Sequence, residues 1–225
     1  MSREVEALIE RQIRRWELLR RAPKPGGRCV AVSRMPGAGG RELARRLAER
    51  LDYGLFDREL VEAVAAHAGV QTRLVEGLDE RVRSAIERVV ADAFRTGTFA
   101  ESDYLREVVR TIRTVAERGN AVILGRGSAQ LLSPQQALRV RVVAPRPVRI
   151  ERRAKARGIA ADEAARQIDG EDAERREFVR HQFRLDPEDA CLYDLVLNTG
   201  TLAMETAVEL AAEALHRQFP VVEAR

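Results

Sequence analysis

Lysine is almost missing from this chain: Lys24 and Lys155 are the only two, so nearly all of the positive charge is carried by arginine. Cysteine is equally scarce. Cys29 and Cys191 stand far apart, neither with a second cysteine or a histidine at metal-ligand spacing, which excludes a disulfide framework and predicts two reduced, packed thiols. His67, His181 and His216 are scattered, and no nucleophile elbow, zinc signature or serine triad is present. No run reaches the roughly 18 apolar residues that a membrane span requires. The opening Met-Ser-Arg-Glu-Val-Glu is charged and has no apolar signal region, so a cytoplasmic protein without a membrane partner is expected. Aromatic residues make up only 4% of the chain, no nucleic-acid recognition motif occurs, and the net charge of +4 is spread out, so nucleic acid is not an expected partner.

What is present is a 225-residue chain, 45% hydrophobic and 33% charged, long enough for one packed domain with an inserted lobe or an appended helix. Val5, Leu8, Ile9, Ile13, Trp16 and Leu19 follow helical spacing before Pro and Gly residues break the pattern, giving an appended amphipathic helix and linker over 1–26. Its apolar stripe either packs on the domain or joins two copies into a homodimer. The domain itself is expected over 27–220, with a tail at 221–225. Strands are expected over Arg28–Ser33, Asn120–Gly125, Leu138–Ala144 and Tyr193–Asn198, with a short extended segment at Tyr53–Asp57. Helices are expected over Gly39–Leu51, from Arg58 to Ala68, Arg146–Arg157, Ala161–His181 and Met204–Gln218, and the stretch from Thr72 to Arg118 reads as almost wholly helical. Strands alternating with helices imply an α/β fold: a doubly wound, mainly parallel sheet with a helical lobe inserted at about 58–118 and an arginine-rich segment at about 146–182.

The segment Val30-Ala-Val-Ser-Arg34-Met-Pro-Gly37-Ala38-Gly39-Gly40-Arg41-Glu42 reads as a buried strand entering a glycine-rich turn that opens a helix. Backbone N–H groups converge on phosphate oxygens only where no Cβ intervenes, and a helix N-terminus adds its dipole. The P-loop pattern ends in Gly-Lys followed by a hydroxyl residue. With Gly39 as the last glycine, Gly40 stands at the lysine position, Arg41 at the hydroxyl position and Arg34 at the first glycine. Alone, such a loop is equally a tight strand-to-helix turn.

Gly125-Arg126-Gly127 follows another strand and would face the same crevice. Asp57 is either an N-cap or a carboxylate for a hydroxyl, base or metal-bound water. Arg149, Arg152 and Arg153 on one helix and Arg175, Arg176 and Arg180 on the next could close over phosphates, or could be solvated faces paired with Glu151, Glu171, Glu174 and Glu177.

Taken in order, these motifs resemble the cytidylate kinases, and more closely the cytidylate kinase-like P-loop proteins whose loop reads Ser-Arg-x-x-Gly-Ser-Gly-Gly-Arg-Glu, here Ser33–Glu42. The resemblance runs on through Tyr53–Asp57, Val122–Gly127, Val140–Arg153, Asp172–Arg175 and Tyr193–Gly200. It implies a P-loop kinase that moves the γ-phosphate of ATP, with Mg²⁺, to a nucleoside monophosphate or a similar small acceptor. It also implies that Arg34 and the loop Gly37, Ala38, Gly39, Gly40, Arg41 and Glu42 hold donor phosphates. Asp57 and Arg126 would lie in the acceptor site; Arg41, Arg149, Arg153 and Arg175 would act around the transferred phosphoryl, and Asp172 would orient an arginine or the acceptor. Glu42 would reach Mg²⁺ or repel phosphates. The departures are Gly40-Arg41-Glu42, and Gly127 where cytidylate kinases carry aspartate. They leave open a non-catalytic nucleotide-binding regulator as a rival, with an arginine-rich nucleic-acid binder as a second.

Overall fold

A computed structural model gives the architecture of residues 28–66, 78, 80–95 and 103–220. The amphipathic segment over 1–26 with its expected dimer stripe, His67, the tail at 221–225 and parts of the expected helical lobe lie outside these described residues.

Strands β1 (Cys29–Arg34), β2 (Gly54–Phe56), β3 (Ala121–Leu124), β4 (Ala137–Val143) and β5 (Leu195–Asn198) form one sheet in the order β2-β3-β1-β4-β5. Every pairing is parallel. The described helices are α1 (Gly40–Leu51), α2 (Arg58–Ala66), α3 (Glu80–Arg95), α4 (Asp103–Arg118), α5 (Ser128–Leu131), α6 (Arg146–Arg157), α7 (Ala161–Phe183) and α8 (Met204–Gln218). The short α5 and a 3₁₀ turn at Ala190–Leu192 were not apparent from periodicity, because one turn is too short to show a face. Among the described residues no helix is long and apolar enough to cross a membrane.

The strands are apolar because helices cover both faces of the sheet. Val30, Val32, Val122, Leu124, Val140 and Val142 face α1 and α8, where Leu43, Leu47 and Leu51 of α1 meet them at helical spacing. Cys29, Ala31, Ala121 and Ile123 face the other way, towards Val61, Val108, Ile112 and Phe183. Each fully buried Leu or Val side chain contributes about 1.5–3 kcal/mol relative to exposure. Burial pushes the Cys29 thiol up to about 12, so it is an inert core group. Cys191 corrects the expectation of two packed thiols: it lies exposed in the 3₁₀ turn.

Parallel strands set all their carboxyl ends along one edge of the sheet, and ligands bind there where the strand order reverses. The central strand β1 and its neighbours β3 and β4 deliver three segments to that edge: Arg34–Gly39, Gly125–Gly127 and the start of α6 at Arg146.

Candidate functional site

The glycine-rich loop is held from several sides. Met35 N–H donates to Val142 O at 3.0 Å and Ala38 N–H to Met35 O at 3.3 Å. Gly37 and Gly39 have φ of 73° and 76°, the left-handed region where side chains are disfavoured. A Cβ on Gly37 would lie 2.8 Å from the Arg149 carbonyl oxygen, so the loop is pressed against α6. The buried Ala38 gives its carbonyl to Thr199 Oγ1 at 2.7 Å, and Arg152 donates to Thr199 Oγ1 at 3.1 Å and to its carbonyl at 2.7 Å. Helix α1 begins after Gly39 with no side-chain cap, so the first N–H groups of α1 face the loop with the positive end of the helix dipole. This cradle fits phosphate oxygens.

Two cavities open from it. One, of about 630 Å³, is lined by the loop and Arg41, by Arg153 and Arg157 of α6 and by Arg175 of α7. The other, of about 350 Å³, is lined by Gly125–Gly127, by Arg141 of β4 and by Arg176 and Phe178 of α7. Arg34, Pro36, Arg58, Glu171 and Arg175 line both.

Arg34 stands at this junction. A Cβ on Gly125 would collide with its guanidinium and a Cβ on Gly40 with its own Cβ, so two glycines make the room it occupies. Burial, followed by the charges of Arg175, Arg126 and Arg41, pushes its pKa down to about 9. It forms no ion pair among the described residues, and the opposing carboxylate of Glu59 is already held by Arg41 at 2.8 Å. A half-buried cation among like charges favours an anion beside it. Arg175 donates to the Arg34 carbonyl at 3.1 Å and meets Glu171 at 3.4 Å; burial lowers its pKa as well.

The remaining expected residues divide. Arg126 has a left-handed backbone, φ 52°, and is paired with Glu62. Its guanidinium lies 5.6 Å from the centre of the Phe178 ring, burial pushes its pKa down to about 10, and its buried Nε has no hydrogen-bond partner among the described residues. Arg153 is paired with Glu171, which that hydrogen bond keeps below the usual carboxylate range. Arg149 lies behind the loop: 5% exposed, it donates to Ala144 O at 3.1 Å, Pro36 O at 3.3 Å and Asp172 Oδ2 at 2.7 Å. Its guanidinium therefore braces the loop, and Asp172 orients that arginine. Asp57 caps α2 through the Leu60 N–H at 3.1 Å and meets Arg41 at 3.5 Å; burial raises its pKa. It lines neither cavity, so it reaches the cleft through Arg41. Glu42 is paired along α1 with Arg45 at 2.8 Å and with Arg46, whose hydrogen bonds hold its carboxyl at about 2.

Among the described residues no cluster of three or more His, Cys, Asp or Glu forms a ready metal cage. Magnesium arriving with nucleotide phosphates needs only one or two protein carboxylates. Glu42, Asp57 and Glu59 all hold arginines, so the chain fits the phosphates more directly than the metal.

Sequence reasoning missed Arg141. The signal was there: an arginine at an alternating position inside the apolar run Leu138-Arg-Val-Arg-Val-Val, in a strand buried on both faces.

A parallel sheet of this order, with a glycine-rich loop leaving its central strand and opening a helix, defines a P-loop kinase type of fold. The chain belongs to the cytidylate kinase-like family, whose model it matches over residues 29–201. It is similar to the cytidylate kinase of Methanopyrus kandleri, 30% identical over 200 residues that cover 83% of this chain and 92% of that protein. It is also similar to the cytidylate kinase of Pyrococcus horikoshii, 27% identical over 195 residues that cover 87% and 92%. The crystal structure of an uncharacterized protein from Eubacterium ventriosum shares the fold, with a TM-score of 0.65 at 21% identity, covering 83% of this chain and 96% of that one.

The departure at Gly127 yields a first prediction. Its φ is 71° and a Cβ there would collide with the Phe183 ring. Gly127→Asp is expected to destabilise the fold by about 2–4 kcal/mol, combining overpacking with left-handed strain. Urea unfolding checks this, and Phe183→Ala should lessen the effect of the aspartate.

Proposed function

We propose that the protein is a nucleoside monophosphate kinase of the cytidylate type, moving the γ-phosphoryl of ATP to CMP or a closely similar acceptor. The observation that carries this reading is the pair of cavities joined at Arg34 and Arg175, one beside the glycine-rich loop and one beside Gly125–Gly127. In-line transfer needs two such subsites meeting at one cationic junction.

When bound, ATP with Mg²⁺ supplies the phosphoanhydride and neutralises part of its charge. The loop N–H groups and the α1 N-terminus hold the donor phosphates. Arg34 and Arg175 face the equatorial oxygens as charge spreads in the transition state, and Arg153 of α6, aligned by Glu171, adds its charge from the side of the cleft. Arg126 positions the acceptor phosphate, with Glu62 and Phe178 fixing its guanidinium. Arg149 and Asp172 hold the loop in shape.

A second reading, a nucleotide-binding regulator, is favoured by one feature: Arg41 is already engaged by Asp57 and Glu59. A panel of nucleoside monophosphates with ATP and Mg²⁺, read for diphosphate product, decides between them. Turnover of CMP supports the kinase; nucleotide affinity without any transfer supports the regulator.

A further inference from the structure

Arg139 and Arg141 lie two residues apart on β4 and are treated very differently by the fold. Arg139 is satisfied by one carboxylate: its Nε and Nη2 donate to Asp194 at 3.1 and 2.6 Å, and its backbone N–H to the same group at 2.8 Å. Arg141 is more deeply buried, 8% exposed. Among the described residues its guanidinium meets Ser33 Oγ at 2.8 Å, the Tyr193 ring at 5.7 Å and, at a loose 3.5 Å, the half-exposed Glu188 carboxylate. Buried charges are normally given close partners. Arg141 instead lines the second cavity with part of its fork unengaged.

Beside the fork the same cavity is lined by the Glu188 carboxylate, whose turn is held in place. Gln130 donates to the Tyr193 hydroxyl at 3.1 Å, and that hydroxyl donates to Pro187 O at 3.0 Å. Glu188 N–H donates to Asp186 Oδ1 at 3.1 Å, which fixes the turn carrying Glu188. Gln130, Arg141, Pro187 and Glu188 line the second cavity but not the first, whereas Arg34 and Arg175 line both. An acceptor whose phosphate sits at the shared arginines therefore extends its other end towards Arg141 and Glu188. Position 127 offers no side chain to read that end, since Phe183 packs over it.

Resting on the kinase reading above, we propose that Arg141 and Glu188 together read the base of the acceptor and select cytosine. The Arg141 fork matches two adjacent acceptors, the cytosine O2 and N3, and Glu188 accepts from the neighbouring N4 amino group. Uracil presents an N–H to the fork and a carbonyl oxygen to the carboxylate, so it is rejected at two of three contacts. A good bidentate pair discriminates by about tenfold to a hundredfold.

The test compares CMP, UMP and GMP on the full chain, by equilibrium binding without donor and by kcat/KM with saturating ATP and Mg²⁺. The variants are Arg141→Met, Arg141→Lys and the half-exposed Glu188→Gln, which places little demand on folding. Wild-type protein is expected to favour CMP over UMP at least tenfold. Arg141→Met and Glu188→Gln should each bring the two within about threefold, with the KM for ATP nearly unmoved, and lysine should not restore the preference because it lacks the fork. A wild-type ratio preserved in Glu188→Gln and Arg141→Lys, or wild-type binding of UMP or GMP as tight as that of CMP, overturns the proposal. Selective CMP binding without transfer would remove the kinase reading and leave the base reading standing. Transfer without base selectivity would do the reverse.

Discussion

Arg34→Met is expected to lower kcat/KM for phosphoryl transfer about a thousandfold, the scale on which an arginine at the transferred phosphoryl acts, and at the same time to raise the melting temperature. The two effects have one cause. Arg34 is half-buried beside Arg175, Arg126 and Arg41 with no ion pair among the described residues, so the fold carries an uncompensated charge. Methionine fills much of the same volume without that charge, and relief of about 1–3 kcal/mol raises Tm by roughly 2–10 °C in a protein of this size. The pH dependence follows from the sign of the shift. The folded-state pKa, about 9, lies below that of the unfolded chain. The penalty is therefore fully present below pH 9 and is relieved as pH rises further, so the thermal advantage of the variant should shrink above pH 9. In the wild type, ATP at about a hundred times its Kd should stabilise by about 2.7 kcal/mol, and that gain should be much smaller in Arg34→Met. A variant that melts lower yet keeps its turnover would make Arg34 a structural residue. Scanning calorimetry and steady-state kinetics on the two proteins are sufficient.

The second large effect is counterintuitive. Gly40→Lys restores the residue that a P-loop carries at this position, yet it is expected to lower kcat/KM at least a hundredfold and to destabilise the fold by about 1–3 kcal/mol, as overpacking does. A Cβ at 40 would strike Cβ of Arg34 and come within 2.8 Å of its Cγ. Lysine from the helix and arginine from the strand compete for one space. Adding Arg34→Gly to Gly40→Lys, which removes both the Cβ and the Cγ that the new side chain strikes, should recover much of the lost stability, a coupling that a double-mutant cycle measures directly. Enhanced turnover in the single variant would show that Gly40 is merely a lost lysine.

Much of the architecture was legible because its signals are local. Apolar runs gave the strands to within a residue or two, and Leu43, Leu47 and Leu51 gave the buried face of α1. The loop was legible from Gly37, Gly39 and Gly40 because backbone constraints act at the residue itself. The arginines were not sorted, because helical spacing gives direction without depth. Arg146, Arg149 and Arg153 share a stripe on α6, yet Arg146 is paired with Asp169 at the surface, Arg149 is sealed behind the loop and Arg153 reaches the cleft. Asp57 shows a similar limit: its Oδ1 caps α2, the first of the two readings, whereas its Oδ2 meets Arg41, an ion pair across 16 residues that no local pattern signals. Arg141 escaped because a lone charge in a strand has meaning only once the neighbouring strand supplies Ser33 and the distant turn supplies Glu188.

Arg149 joins the Pro36 carbonyl in the loop to Asp172 on α7, across 113 residues in one direction and 23 in the other. Removing one partner of a buried charge pair strands the other at a cost of about 3–5 kcal/mol. Positions 149 and 172 thus act as one unit, and a substitution at position 172 of α7 that leaves every loop residue unchanged is still felt as a defect of the loop.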